Sequence, residues 1–255
     1  MPAALETMIR DLHRRPGRSR RGLCLAEGIR LVEEAVAAEV ELRAAVVSPS
    51  LERSERGVRL RRALGARVAL TEMTDAALAE LAATEHPQGV IAALAWKPAD
   101  LAAITPQPTS VVVVLDAIQD PGNVGTIART AWALGAAGMI ALPGTAELTN
   151  PKTLRASMGA FFHLPAVAVA EEPLGRWLRD HRFAIVTAGP DGSPLGTVDL
   201  PRPFALVLGN EGAGAESMLA REARARITIP LRSGVDSLNV AVAAGILLYG
   251  TLRDR

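Results

Sequence analysis

Between residues 22 and 47 the apolar positions Leu31, Val32, Ala35 and Val36 recur with the period of an amphipathic helix, and Ala44 to Val47 reads as a short strand. The same pattern predicts a helix over Leu60 to Leu64, a strand over Val68 to Leu70 and a helix over Asp75 to Leu81. A small βαβ-like domain over residues 1–96 results. From Lys97 to Pro108 the periodicity fades and prolines stand at 98, 106 and 108, which suits a linker over 97–108.

The pattern changes at Ser110. Val111-Val112-Val113-Val114-Leu115 is an unbroken apolar run rich in β-branched residues, as expected of a strand buried on both faces in a parallel sheet. Beyond it, strands expected near 111–117, 139–142, 165–170, 183–187, 204–208 and 226–229 alternate with helices near 124–134, 151–158, 173–180, 215–221 and 237–250. Such alternation builds a doubly wound parallel sheet with helices on both faces, so the expected fold class is α/β, with a second domain over 109–255.

Composition narrows this picture. The 255 residues are 49% hydrophobic and 22% charged with a mean hydropathy of +0.20, which excludes a disordered chain, and scattered Gly and Pro exclude collagen and coiled coil. Aromatics make up only 3%, so Ala, Val and Leu must form the core. The single cysteine, Cys24, allows no intramolecular disulfide, and no basic-then-apolar leader opens the sequence. A reducing, cytoplasmic setting is expected. The apolar run Val240 to Tyr249 is ten residues, short of the ~20 that a membrane helix needs, so no membrane partner is expected.

The net charge of +1 conceals a local excess. Arg10, Arg14, Arg15, Arg18, Arg20 and Arg21 stand against the single acid Asp11 within twelve residues. Guanidinium groups bind phosphate bidentately and stack on bases, so this arm suits a polyanion; a solvated, mobile arm is the alternative.

In open α/β sheets ligands bind beyond the carboxyl ends of the strands. After the first strand of the second domain, Asp116 to Arg129 contains Pro121, Gly122 and Gly125 leading into a helix whose N-terminus offers amides to an anion, with Arg129 further along it. Thr187-Ala188-Gly189 and Leu208-Gly209-Asn210-Glu211-Gly212-Ala213-Gly214 follow later strands, the second with glycines that let a ligand approach the backbone. A dinucleotide fingerprint would need GxGxxG after the first strand, and the order here differs. The last loop runs Ile229-Pro230-Leu231 to Ser237-Leu238-Asn239. Ser237 is a candidate helix cap, and Asn239, a poor helix former with no capping duty in that reading, suggests a polar ligand nearby.

Three blocks, Asn123-x-Gly125-x-x-x-Arg129, Leu208 to Gly212, and Ile229-Pro230 through Ser237-Leu238-Asn239-Val240, resemble the motifs of the SpoU (TrmH-like) RNA 2'-O-ribose methyltransferases of the SPOUT superfamily. Lys152 to Ala160 is similar to a segment that family carries between its first two motifs. Leu25-Ala26-Glu27-Gly28 and His86-Pro87-Gln88-Gly89-Val90 are similar to the edges of a ribosomal-protein-like α/β RNA-binding domain that precedes the catalytic one.

The resemblance implies a SPOUT-type sheet closed by a trefoil knot, an exception to ordinary connection rules that periodicity does not reveal, and a homodimer. It implies S-adenosyl-L-methionine as cofactor, held by Thr187, Ala188, Gly189, Leu208, Gly209, Asn210, Gly212, Ile229, Pro230, Leu231, Ser237, Leu238 and Asn239, with no metal. Arg129 is then catalytic, stabilising the developing alkoxide, with Asn123, Glu211, Ser237 and Asn239 around it. Ala241 departs from the Ser of many relatives. The RNA contacts are expected from the six arm arginines and Arg155. The expected substrate is RNA, ribosomal in preference to transfer RNA; a transfer-RNA methyltransferase, transfer to a base nitrogen, and a non-catalytic RNA-binding protein are the alternatives.

Overall fold

The computed structural model describes residues 2–210 and 217–252. The chain forms two compact units, one of Met1–Lys97 with Thr149–Phe162 and one of Pro98–Leu148 with His163–Arg255.

The first unit begins with α1 (Pro2–Leu12), α2 (Arg15–Arg21), β1 (Cys24–Glu27), α3 (Ile29–Ala37), β2 (Leu42–Val47), α4 (Glu55–Gly65), β3 (Leu70–Glu72), α5 (Asp75–Leu81) and β4 (Val90–Leu94). The sheet order is β1-β4-β2-β3. β2 and β3 are parallel, as the expected βαβ unit requires, and β4 runs antiparallel to both β1 and β2. β1 and β4 escaped the periodicity because every residue in them is buried, so neither alternates. Ser54 and Thr74 cap α4 and α5 by accepting from Gly57 N and Ala77 N. Cys24 lies fully buried, and burial pushes its thiol up to about 12.

The arginine-rich segment is folded, which corrects the picture of a mobile arm. Ile9 and Leu12 join Leu25, Val46, Leu78 and Ile91 in the core. α2 turns back so closely on α1 that a Cβ at Gly17 would lie 2.1 Å from the Asp11 carbonyl oxygen. Arg18 is only 5% exposed, and its Nη1 donates to Leu12 O and His13 O at 3.0 and 2.9 Å. It therefore satisfies carbonyls at the end of α1 and is withdrawn from the set of phosphate contacts. Arg20 and Arg21 both donate to the Asp11 carboxylate, which holds that carboxyl below the usual range.

The second unit contains β5 (Val111–Leu115), α6 (Pro121–Ala133) and β6 (Gly138–Ala141), after which α7 (Pro151–Ser157) joins the first unit against β1. Thus a segment expected inside the 109–255 domain belongs to the other unit by its packing. β7 (Ala166–Ala168), α8 (Glu171–Asp180), β8 (Ala184–Pro194), β9 (Phe204–Leu208), α9 (Met218–Arg221), β10 (Ala225–Thr228) and α10 (Val240–Leu252) complete the order. The six strands run β10-β8-β9-β5-β6-β7, all paired in parallel. β5 and β9 are buried at every position, as the apolar run at 111–115 predicts.

The proline-rich stretch 97–108 is not a free tether. Ala99 bridges to Val167, and Ile104 enters the core of the second unit with Val112, Ile140 and Leu174. At the other end, α10 buries Ala244, Leu247 and Leu248 but leaves Val242, Ile246 and Tyr249 exposed. Among the described residues no helix is long and apolar enough to cross a membrane.

Candidate active site

β5 has β6 on one side and β9 on the other, with β8 beyond β9, so the order reverses between β5 and β9. The loops leaving these two strands diverge there and open a crevice at the carboxyl edge. The loop after β5 enters α6 with Asp120 as cap, its Oδ1 accepting from Asn123 N at 2.8 Å, and Pro121 in the first turn. Ala117 is held at φ +55°, an uncommon conformation for a residue with a Cβ. Its carbonyl accepts from Asn210 Nδ2 at 3.2 Å, which ties the β5 loop to the β9 loop. Asp116, 7% exposed, accepts from Ser217 N at 2.9 Å.

A cavity of about 380 Å³ lies at this edge. Of the residues expected to hold a cofactor, Ala188, Gly189, Leu208, Gly209, Asn210, Ile229, Leu231, Ser237 and Leu238 line it. The β8 contribution comes from an excursion. Thr187 pairs with Arg226, but the next ladder partner of β10 is Ser193, so residues 188–192 leave the ladder. Arg226 spans the excursion, with Nη1 on Asp191 Oδ2 at 2.6 Å and Nε on Thr187 Oγ1 at 3.3 Å. Gly192 makes the return possible, because a Cβ there would fall 2.5 Å from the Ile227 carbonyl carbon.

Three expected cofactor residues do not line the cavity. Thr187 sits in the ladder, 1% exposed, with its hydroxyl turned to Arg226. Pro230 faces outward. Asn239 is the cap of α10, its Oδ1 accepting from Ala241 N at 3.0 Å and Val242 N at 3.3 Å. The cap is therefore Asn239 and not Ser237. The helix starts at Val240, three residues later than expected. Glu211 and Gly212 lie outside the described residues.

Asn239 also donates through Nδ2 to Asn123 Oδ1 at 3.1 Å, so the starts of α6 and α10 are joined. Beside this pair a smaller cavity of about 240 Å³ is lined by Gln119, Asp120 and Asn123 and shares Asn210 and Val240 with the first. Arg129 lines neither cavity. It is exposed on α6, and its guanidinium makes no hydrogen bond or ion pair to another described residue.

The sequence reading missed the contribution of α10. Val240, Ala243 and Leu247 form one wall of the larger cavity. Their spacing is helical, but it is hidden in a helix that is apolar on every side, and only the packing selects the face. Ile227 and Thr228, the last residues of β10, also line it and follow the strand-end rule. Asp236 supplies a carboxylate at the same cavity.

A profile of the SpoU rRNA Methylase family matches residues 110–249, and one of the MRM3-like substrate binding domain matches residues 7–92. The chain is 34% identical over 241 residues to the 23S rRNA (guanosine(2553)-2'-O)-methyltransferase RlmP of Bacillus subtilis, covering 94% of this chain and 92% of that protein. Its fold superposes on the SpoU methyltransferase AviRb of Streptomyces viridochromogenes, solved with AdoMet, with a TM-score of 0.89 at 30% identity over 98% of this chain and 97% of that one. An AdoMet-bound rRNA methyltransferase from Sinorhizobium meliloti gives a TM-score of 0.86 at 33% identity, covering 98% and 94%.

Proposed function

The chain belongs to the SpoU rRNA methylase family, and from that membership we infer that it methylates a ribose 2'-hydroxyl of 23S rRNA with S-adenosyl-L-methionine as cofactor. The observation that carries this reading is that loops from β8, β9 and β10 and the start of α10 close one cavity beside the start of α6.

The lining fits the cofactor. About 380 Å³ falls in the range of small-molecule sites, ~300 to 1,000 Å³. Ile229, Leu231, Leu238 and Leu247 offer apolar walls to an adenine, while Asn210, Asp236 and Ser237 offer polar groups to ribose and amino-acid portions. When bound, S-adenosylmethionine supplies a methyl group activated on a sulfonium, with a neutral thioether as leaving group.

The protein must bring the ribose oxygen in line and stabilise charge as its proton leaves to an RNA phosphate oxygen or to water. A guanidinium keeps its proton in proteins, so Arg129 acts on the developing alkoxide as a fixed cation and not as a base. Asn123 and Asn210 line the smaller cavity and orient the ribose, and Asn239 holds the Asn123 side chain through Nδ2. The first unit selects the RNA, with Arg155 and the exposed arginines 10, 14, 15, 20 and 21 on phosphates.

A homodimer, a knotted C-terminal segment and a cytoplasmic setting belong to the same reading. Val242, Ile246 and Tyr249 lie exposed on α10 and make an apolar face that a second copy would cover. Arg129 lies on α6, the helix packed beside α10.

Methyl transfer to 23S rRNA followed by digestion to nucleosides tests the function. A 2'-O-methyl nucleoside is expected; a methylated base, or no calorimetric binding of S-adenosylmethionine, would overturn it. Arg129→Ala should leave cofactor affinity within a few fold and lower turnover by on the order of a hundredfold. Undiminished turnover would remove Arg129 from the chemistry.

A further inference from the structure

The first unit contains a cleft of about 430 Å³ between the start of α3, the 84–88 loop, α4 and the end of α7. Four of its lining residues carry cationic or titratable nitrogen: Arg30, Arg56, His86 and Arg155. Gln88 Oε1 accepts from Ile29 N at 2.9 Å, so the first free amide of α3 is already satisfied and the site is made by side chains.

The charges around the cleft are not balanced internally. Arg56 is held by Glu33, whose hydrogen bond raises the guanidinium pKa further. Glu27, 7% exposed, spends its carboxylate on Ala83 N, Thr84 N and the Thr84 hydroxyl. The guanidinium groups of Arg30 and Arg155 make no hydrogen bond or ion pair to another described residue, and Arg155 is half-buried in α7. A half-buried guanidinium loses hydration that a ligand anion can replace. Ile29 and Met158 add an apolar wall.

We propose that this cleft is a nucleotide subsite of the first unit, in which Arg30 and Arg155 grip a phosphodiester of single-stranded RNA while its base lies against Ile29 and Met158. The proposal rests on the RNA-substrate reading and specifies where the RNA is held away from the methyl-transfer centre. An unpaired strand fits better than a duplex, because a concave cleft of this size admits one nucleotide and the base needs a free face.

The test uses the full chain and deproteinised 23S rRNA, with affinity measured against salt. Arg30→Gln with Arg155→Gln should weaken binding at least tenfold and reduce the slope of log affinity on log salt by about one to two, at ~0.7 per single-strand phosphate. The control pair Arg43→Gln with Arg67→Gln removes the same charge from exposed positions that do not line the cleft and should stay within about twofold of the parent. Calorimetry with S-adenosylmethionine should be unchanged in both. A cleft variant that matches the control overturns the subsite, and so does a parent that binds no RNA. Absence of cofactor binding in the parent overturns the methyltransferase reading alone, since the RNA comparison stands independently of it.

Discussion

Asn239→Ala separates two accounts of how the last helix begins. The mutation removes the acceptor for Ala241 N and Val242 N, and with it the donor to Asn123 Oδ1. Loss of such a cap costs about 1 kcal/mol, and for a chain of this size that lowers Tm by roughly 2 to 4 °C. The first turn of α10 also carries Val240 and Ala243 into the cofactor cavity. If that turn must re-form on binding, ~1 kcal/mol appears as about a fivefold weaker affinity for S-adenosylmethionine. Asn239→Asp keeps the acceptor at a helix N-terminus and loses the link to Asn123, so it should recover most of the Tm. Ser237→Ala should shift the stability of the free protein by less than about 0.5 kcal/mol. Thermal unfolding and calorimetry on the three variants decide the matter. An Asn239→Ala protein with parental Tm and affinity, or a larger loss in Ser237→Ala, would refute the assignment of the cap.

Ile246→Glu places a charge on the exposed face of α10, and light scattering should then report a mass near 26.8 kDa in place of twice that value; a mass that the mutation leaves unchanged would count against a dimer through this face. Leu247→Glu is not a substitute, because Leu247 is 1% exposed and walls the cofactor cavity, so cofactor binding should fail first. Arg14→Gln with Arg15→Gln should flatten the salt dependence of RNA affinity by about one to two phosphates, whereas deleting residues 1–21 would remove Ile9 and Leu12 from the core and unfold the unit. Asp11 titrates below the usual carboxylate range because Arg21 and Arg20 donate to it. Its contribution is therefore fully present above the unfolded value near ~3.9 and lost as pH falls through the lower folded value. The protection factors of the α2 amides, corrected for intrinsic exchange, should fall on acidification in the parent and stay level in Asp11→Asn.

Features set by neighbours in the chain were legible from the sequence. The apolar run at 111–115 reports burial on both faces by itself, and the alternation that follows it implies the parallel sheet whose strand ends hold the site. The motif residues at 188–189, 208–210, 229, 231, 237 and 238 are each local to one loop, and they line one cavity. Choices among chemically equivalent neighbours were settled only by tertiary packing. Six arginines look alike in sequence, but the turn of α2 onto α1 buries Arg18 and leaves Arg14 in solvent. Every face of α10 is apolar, so only its seat against α6 distinguishes Leu247 in the cavity from Ile246 outside. Both Ser237 and Asn239 can cap a helix, and the choice fell to Asn239 because its amide also reaches Asn123, 116 residues earlier in the chain. Thr149–Phe162 lies within the second half of the sequence and yet packs with the first unit, because contact with β1 and α3 depends on distance in space. Periodicity reports what one element buries; which surface it is buried against is a property of the fold.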